Sequence, residues 1–241
     1  MIKIGIAVFP GSNCDRDVHY VLNNILKVQA DFIWHTKDRI SNYDAMILPG
    51  GFAYGDHLRA GVIAAYSPIV QQVKKLAKKG FPVLGICNGF QILVEAGLLP
   101  GALITNASLN FVCKWTYLIV RNNKTPFTNR FQRNQKIRIP IAHGEGRFVA
   151  NEDTLKALKK KDQIVLSYYK ENPNGSSDFI AAICNQEGNV MGIMPHPERA
   201  SENLLSPEKL SNNGIDIFNS LLFYLNHNQK VLSSPFAASM T

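Results

Sequence analysis

Apolar and polar positions alternate along this chain in a rhythm that changes once. Residues 2–9 form an apolar run stopped by Pro10 and Gly11, the pattern of a strand buried on both faces. Between Asp15 and Leu26, the positions Val18, Val21, Leu22, Ile25 and Leu26 recur at helical spacing. Strands are predicted over 31–34, 43–48 and 81–86, and helices over 58–79, interrupted near Ser67 and Pro68, and over 90–96. After Gly101 the rhythm shifts. Strand-like runs at 111–120, 136–141, 163–167, 179–185 and 190–194 enclose one short helix at 153–160, with a hairpin turn at Glu187, Gly188 and Asn189. An amphipathic helix at 214–225 closes the pattern.

Strands alternating with helices predict an α/β protein with a doubly wound sheet; the later strands make it mixed, mainly parallel, and flanked by helices. No repeat or linker divides the chain, so one domain is expected over 1–227, with a loose tail at 228–241.

Composition narrows the classes. At 241 residues, 46% hydrophobic and 18% charged, the chain can bury a sizeable core. The net charge of +8 is concentrated in lysine clusters at 74–79 and 156–161, both on predicted amphipathic helices. A solvated face explains them, and no nucleic-acid recognition motif accompanies them. The apolar start is too short for a signal peptide and no run reaches membrane-spanning length, so a cytoplasmic protein is expected. Cys14, Cys87, Cys113 and Cys184 show no CxxC spacing, and no metal site is expected.

Candidate chemistry gathers in residues 81–92, FPVLGICNGFQI. A strand running into a helix through Cys87 would expose a nucleophile above the sheet with the helix N-terminus favouring its thiolate. Gly85 and Gly89 permit close approach and strained angles there. Residues 194–200, MPHPERA, hold His196 between two prolines with Glu198 two positions on; in an extended segment both side chains share one side. A carboxylate beside an imidazole orients it as base and then acid. Together these residues predict a Cys87–His196–Glu198 triad.

The pattern G-x-C-x-G-x-Q followed by H-P-E resembles the class I (triad) glutamine amidotransferases, over nearly the whole chain. PGSNCDRD at 10–17, PGGFAYGD at 49–56, NASLNFVCKW at 106–115 and PIAHGEGRF at 140–148 further resemble the stand-alone glutaminase subunits of phosphoribosylformylglycinamidine synthases. The resemblance implies a flavodoxin-like fold and attack by Cys87 on the glutamine side-chain amide. It implies an oxyanion hole from backbone N–H groups of Gly51, Phe52 and Asn88. It also implies substrate contacts from Gly50, Gln91, Asn106, Ser108 and Phe111; ordinary strand and turn chemistry stays open for Asn106 and Ser108. His143 and Glu145 are either a second acid–base pair or part of the pocket or a partner-docking face, the latter being expected because the triad is complete without them. Cys14 is expected to be inert. L-glutamine is the implied substrate. This chain carries no P-loop, so ATP and Mg²⁺ are expected on a larger synthetase partner that converts formylglycinamide ribonucleotide to formylglycinamidine ribonucleotide, with a small third subunit common in such assemblies.

Two rivals remain at this point. One is another cysteine hydrolase, a γ-glutamyl hydrolase or a peptidase-like protein, on the same scaffold. The other is a non-catalytic scaffold subunit, against which the presence of all three triad residues argues.

Overall fold

The computed structural model describes residues 1–207 and 213–232, the last five of these by their backbone alone. The apolar runs become a central sheet. β1 (Lys3–Val8) pairs in parallel with β2 (Gln29–Trp34) and with β3 (Ala45–Leu48); β3 in turn pairs in parallel with β4 (Val83–Ile86). β4 is flanked on its other side by β11 (Val190–Ile193), also parallel, across a jump of about half the chain. Every residue of β3, β4 and β11 is buried, as expected of parallel strands covered on both faces.

Antiparallel pairing extends the sheet from there through β10 (Ile180–Cys184), β9 (Ile164–Tyr169), β6 (Val112–Val120) and β7 (Lys136–His143). The nine-stranded order is β2-β1-β3-β4-β11-β10-β9-β6-β7. The sheet is therefore mixed as the sequence predicts, with its parallel half first. β5 (Ala102–Ile104) and β8 (Arg147–Val149) form a separate two-stranded antiparallel sheet, which the hydrophobic pattern does not announce because each strand has three residues.

The helices follow their apolar stripes with local departures. The stripe at 15–26 is α-helical over α1 (Asp15–Tyr20) and widens into a π-helical turn over Val21–Ile25. The break expected at Ser67-Pro68 separates α2 (Val62–Ala65) from α3 (Pro68–Ala77). α4 (Asn88–Glu95) packs on β3, β4 and β11. Gly192 makes this packing possible, since a Cβ there would lie 2.0 Å from the Phe90 ring. α5 (Glu152–Lys160) is capped by the Asn151 side chain, which accepts from the Thr154 N–H at 2.9 Å. The last helix, α6 (Ile215–Leu232), runs past the expected end at Leu225 and past the expected start of a loose tail; residues 233–241 lie outside the described residues. Among the described residues no helix is long and apolar enough to cross a membrane.

Candidate active site

Parallel strands place their carboxyl ends on one edge of the sheet, and the loops after β1, β3, β4 and β11 meet there. Cys87 follows β4 and caps α4 with φ 50° and ψ −103°, a strained conformation for a non-glycine residue. The strain falls on the cysteine itself rather than on the flanking glycines. Those glycines answer a steric demand instead: a Cβ on Gly85 would lie 2.6 Å from the Gly89 carbonyl oxygen, and one on Gly89 would lie 2.0 Å from that of Leu48.

His196 follows β11, with its backbone N–H donating to the Pro140 oxygen at 2.8 Å. The chain does not stay extended beyond it but turns into a 3₁₀ helix over Pro197–Ala200. That turn still brings Glu198 Oε1 to 2.7 Å from His196 Nδ1. A carboxylate accepts, so Nδ1–H donates and Nε2 is the ring nitrogen left to react. Nε2 is buried and without a hydrogen-bond partner among the described residues. Burial opposes the charged ring, and the Glu198 carboxylate and the Cys87 sulfur outweigh it, holding His196 well above its ordinary pKa. The three triad residues therefore come together as the sequence predicts.

Cys14, expected to be a bystander, lies behind the imidazole. Its Sγ is 3.8 Å from His196 Nδ1 and accepts from Arg199 Nη2 at 3.2 Å, while Arg199 Nε reaches Asp17 at 3.4 Å. Burial pushes the Cys14 thiol up, keeping it neutral. The Cys14, His196 and Glu198 ligand atoms lie within 4.8 Å of one another, a spacing that could hold a metal ion. The guanidinium against the sulfur puts positive charge where a cation would bind, so the cluster reads as support for the imidazole. Sequence reasoning missed Cys14 and Arg199, although PGSNCD and PHPER were both visible and both follow strands that end at this edge.

The loop after β3 carries Gly51 and Phe52, two of the residues expected to supply oxyanion donors, and the Phe52 amide has another partner in this conformation. The Phe52 N–H donates to the Gly11 oxygen at 2.9 Å and Asn13 N–H to the Gly50 oxygen at 3.2 Å, joining Ser12 to Gly51 in an antiparallel bridge. Phe52 N–H is thus engaged away from the nucleophile. Gly51 at φ +150° has no room for a side chain, a Cβ there lying 2.7 Å from Gly11 O and Asn13 N. Gly50 packs its α-carbon against the catalytic ring, where a Cβ would lie 2.8 Å from His196 Cε1.

The expected substrate contacts divide into two groups. A cavity of about 260 Å³ is lined by Cys87, His196, Gln91, Phe111, Glu145 and His143 among others. Asn106 does not line it. It is fully buried, its Nδ2 donating to the Asn110 and His143 oxygens at 2.9 and 2.8 Å and its Oδ1 accepting from Gly146 N–H and His143 Nδ1, each at 3.1 Å. Every polar valence of that amide is engaged, so Asn106 braces the 143–146 loop instead of contacting a ligand. Ser108 is exposed, and its hydroxyl accepts from Asn110 N–H at 3.4 Å. Gln91 lines the cavity, but its amide is also held: Oε1 accepts from Asn88 Nδ2 at 2.9 Å and Nε2 donates to the Glu145 oxygen at 2.8 Å.

His143 is not half of an acid–base pair. Because Asn106 Nδ2 donates twice, its Oδ1 must accept, so His143 Nδ1 carries the proton and Nε2 a lone pair. Burial, helped by the charge on His196, lowers His143 to about 4, so the ring stays neutral near pH 7.

Residues 1–225 match the CobB/CobQ-like glutamine amidotransferase domain. The chain is 56% identical over 212 residues to phosphoribosylformylglycinamidine synthase subunit PurQ of Moorella thermoacetica, covering 85% of this chain and 90% of that one. It is 52% identical over 224 residues to the same subunit of Alkaliphilus metalliredigens, covering 93% and 97%. Its fold superposes on a chain of the PurLQS structure from Thermotoga maritima with a TM-score of 0.83 at 47% identity, covering 93% of this chain and 99% of that one. With a strained cysteine elbow facing a histidine held by a glutamate, and with these relatives, the chain belongs to the class I glutamine amidotransferases, in the family of phosphoribosylformylglycinamidine synthase subunit PurQ.

Proposed function

We propose that this chain is the glutaminase subunit of a phosphoribosylformylglycinamidine synthase. It hydrolyses glutamine to glutamate and ammonia. The ammonia passes to a larger synthetase subunit, which uses ATP and Mg²⁺ to convert formylglycinamide ribonucleotide to formylglycinamidine ribonucleotide in cytoplasmic purine synthesis. The assembly in which the Thermotoga counterpart was solved supports such a partner and, by its three-letter composition, a third subunit. The observation that carries the reading is the 2.7 Å Nδ1–Glu198 contact, which fixes the tautomer and leaves Nε2 free beside Cys87.

The chemistry follows from that arrangement. The Cys87 thiolate attacks the side-chain amide carbon, and the carbonyl oxygen becomes an oxyanion. His196 Nε2–H gives its proton to the nitrogen as the C–N bond breaks, releasing ammonia and leaving a γ-glutamyl thioester. Neutral Nε2 then takes a proton from water as it attacks the thioester, and the C–S bond breaks to give glutamate and free thiolate. Glu198 holds the ring throughout. Backbone N–H groups of Gly51 and Asn88 are the oxyanion donors in this conformation, and Asn88 sits at the α4 N-terminus.

Phe52 N–H is the third donor and is bonded to Gly11 here. Docking of the synthetase turns it toward the oxyanion, which couples glutamine hydrolysis to the presence of an acceptor. The assembled complex tests the whole reading. Cys87→Ala abolishes product formation from glutamine, while product from concentrated ammonium at alkaline pH persists. Retained turnover of glutamine by the Cys87→Ala complex refutes the nucleophile.

A further inference from the structure

The loop that carries Phe52 is fastened by two residues that do not line the active-site cavity. Its backbone is zipped to the loop after β1: Phe52 N–H donates to the Gly11 oxygen at 2.9 Å and Tyr54 N–H to the Pro10 oxygen at 2.7 Å. Tyr54, Gly55 and Asp56 then follow in left-handed backbone, at φ 56°, 68° and 54°. Two non-glycine residues keep such angles only where surrounding contacts over-determine them. One of those contacts is made by a side chain. The Tyr54 hydroxyl and His35 Nδ1 are hydrogen-bonded at 2.8 Å, and the two rings meet edge to face at 5.5 Å.

His35 is a fixed post for that bond. Its backbone N–H donates to the oxygen of Val8, the last residue of β1, at 2.9 Å, and its carbonyl accepts from Ile69 N–H in α3 at 3.2 Å. Its ring stacks on Phe9 at 6.2 Å and meets Trp34 at 4.7 Å. Burial lowers the His35 pKa, so the ring is neutral near pH 7. On the moving side, Gly55 N–H closes a tight turn on the Phe52 oxygen at 2.8 Å. A rotation that takes Phe52 N–H off Gly11 is therefore passed along that turn to Tyr54. The Phe52 side chain is 47% exposed and that of Leu58 is 93% exposed, which puts the same segment within reach of a docked partner.

We propose that Tyr54 and His35 are positioning residues whose hydrogen bond clasps the oxyanion loop with Phe52 N–H turned away from the reacting amide, and that the clasp opens when the synthetase docks. The inference rests on the glutaminase reading and names the contact through which its coupling is held. Neither residue touches substrate. Loss of a hydrogen bond between neutral groups shifts a two-state balance about 2- to 10-fold.

The test measures glutamine turnover by the isolated chain and by the chain assembled with its synthetase. Tyr54→Phe keeps the ring and deletes the hydroxyl. It raises kcat of the isolated chain about 2- to 10-fold with KM unchanged, because an oxyanion donor acts in the transition state. It leaves the complex within about twofold of wild type, so activation by the synthetase shrinks by the same factor. His35→Phe keeps an aromatic ring against Phe9 and Trp34, gives the same pattern, and decides the matter if Tyr54→Phe misfolds. The double variant matches either single one, since both lose one bond. Lower turnover of the isolated chain, an unchanged activation ratio, or additive effects in the double variant overturn the clasp and mark a structural role. A wild-type complex that releases no ammonia from glutamine refutes the glutaminase reading itself, an outcome distinct from a change in activation ratio.

Discussion

Replacing Gly89 by alanine tests whether the nucleophile elbow and the oxyanion loop are one mechanical unit. Gly89 has no left-handed φ to protect, so its need for glycine is purely steric. A Cβ there would lie 2.0 Å from the Leu48 carbonyl oxygen, and ordinary contact begins near 3.4 Å, so β3 and α4 must part by about 1.4 Å. Leu48 ends β3 and leads directly into Gly50 and Gly51, while Gly89 follows Cys87 by two residues. The displacement therefore separates the sulfur from the oxyanion donors. Overpacking of this kind costs about 1–3 kcal/mol, or about 2–12 °C in melting temperature for a chain of this size. A misplacement near 1 Å at a reacting centre costs about a hundredfold in rate. Gly97→Ala is the control. Gly97 has φ +71° and open space within 4 Å of where a methyl group would sit, so alanine there costs about 1–2 kcal/mol of backbone strain and touches no part of the site. Melting curves and glutaminase turnover of the assembled complex are measured for both variants. The expected result is comparable destabilisation with activity lost only in Gly89→Ala. Activity within about twofold of wild type in Gly89→Ala refutes the reasoning, as does equal loss in the control.

Three further predictions follow from the site. His143 is held near pKa 4 against an unfolded value near 6.5, so the unfolded chain binds more protons between these values and the group's contribution to stability is lost as pH falls through that window, amounting to about 3 kcal/mol. His143→Gln should therefore lose less melting temperature than wild type between pH 6.5 and pH 4, and parallel curves would contradict the assignment. Cys14→Ala leaves Arg199 without its sulfur acceptor and a hollow behind His196, so it should lose stability by about 1–3 kcal/mol and lower turnover, whereas exposed Cys113→Ala should do neither. Identical behaviour of the two variants argues that Cys14 is the bystander its sequence suggests. Adding the synthetase and its substrates should raise glutaminase turnover about 10²- to 10³-fold by freeing Phe52 N–H from Gly11, and an isolated chain already at full rate removes the need for that step.

What the sequence made legible, and what it hid, follows from how far each contact reaches. The elbow is local: two glycines around a cysteine at a strand-to-helix boundary leave few alternatives, and only the bearer of the strain differs. The His196–Glu198 contact survives the replacement of extended chain by a 3₁₀ turn because two-residue spacing leaves both side chains close in either form. Cys14 and Arg199 meet across 185 positions, and that contact exists only because β1 and β11 run parallel in one sheet and end at the same edge. The amides were the hardest to read. Gln91 and Asn106 were identifiable as special by motif, but an amide has donors and an acceptor that can serve either a ligand or the scaffold. Here the fold turns both inward: Asn106 braces the 143–146 loop, and Gln91 joins Asn88 to Glu145. Asp56 and Glu145 line the same cavity as Cys87 without an ion-pair partner among the described residues, a juxtaposition that residues 49–56 and 140–148 read separately do not reveal. Each motif supplies one carboxylate, and the two line one cavity with Cys87 only because the loops after β3 and β7 meet there.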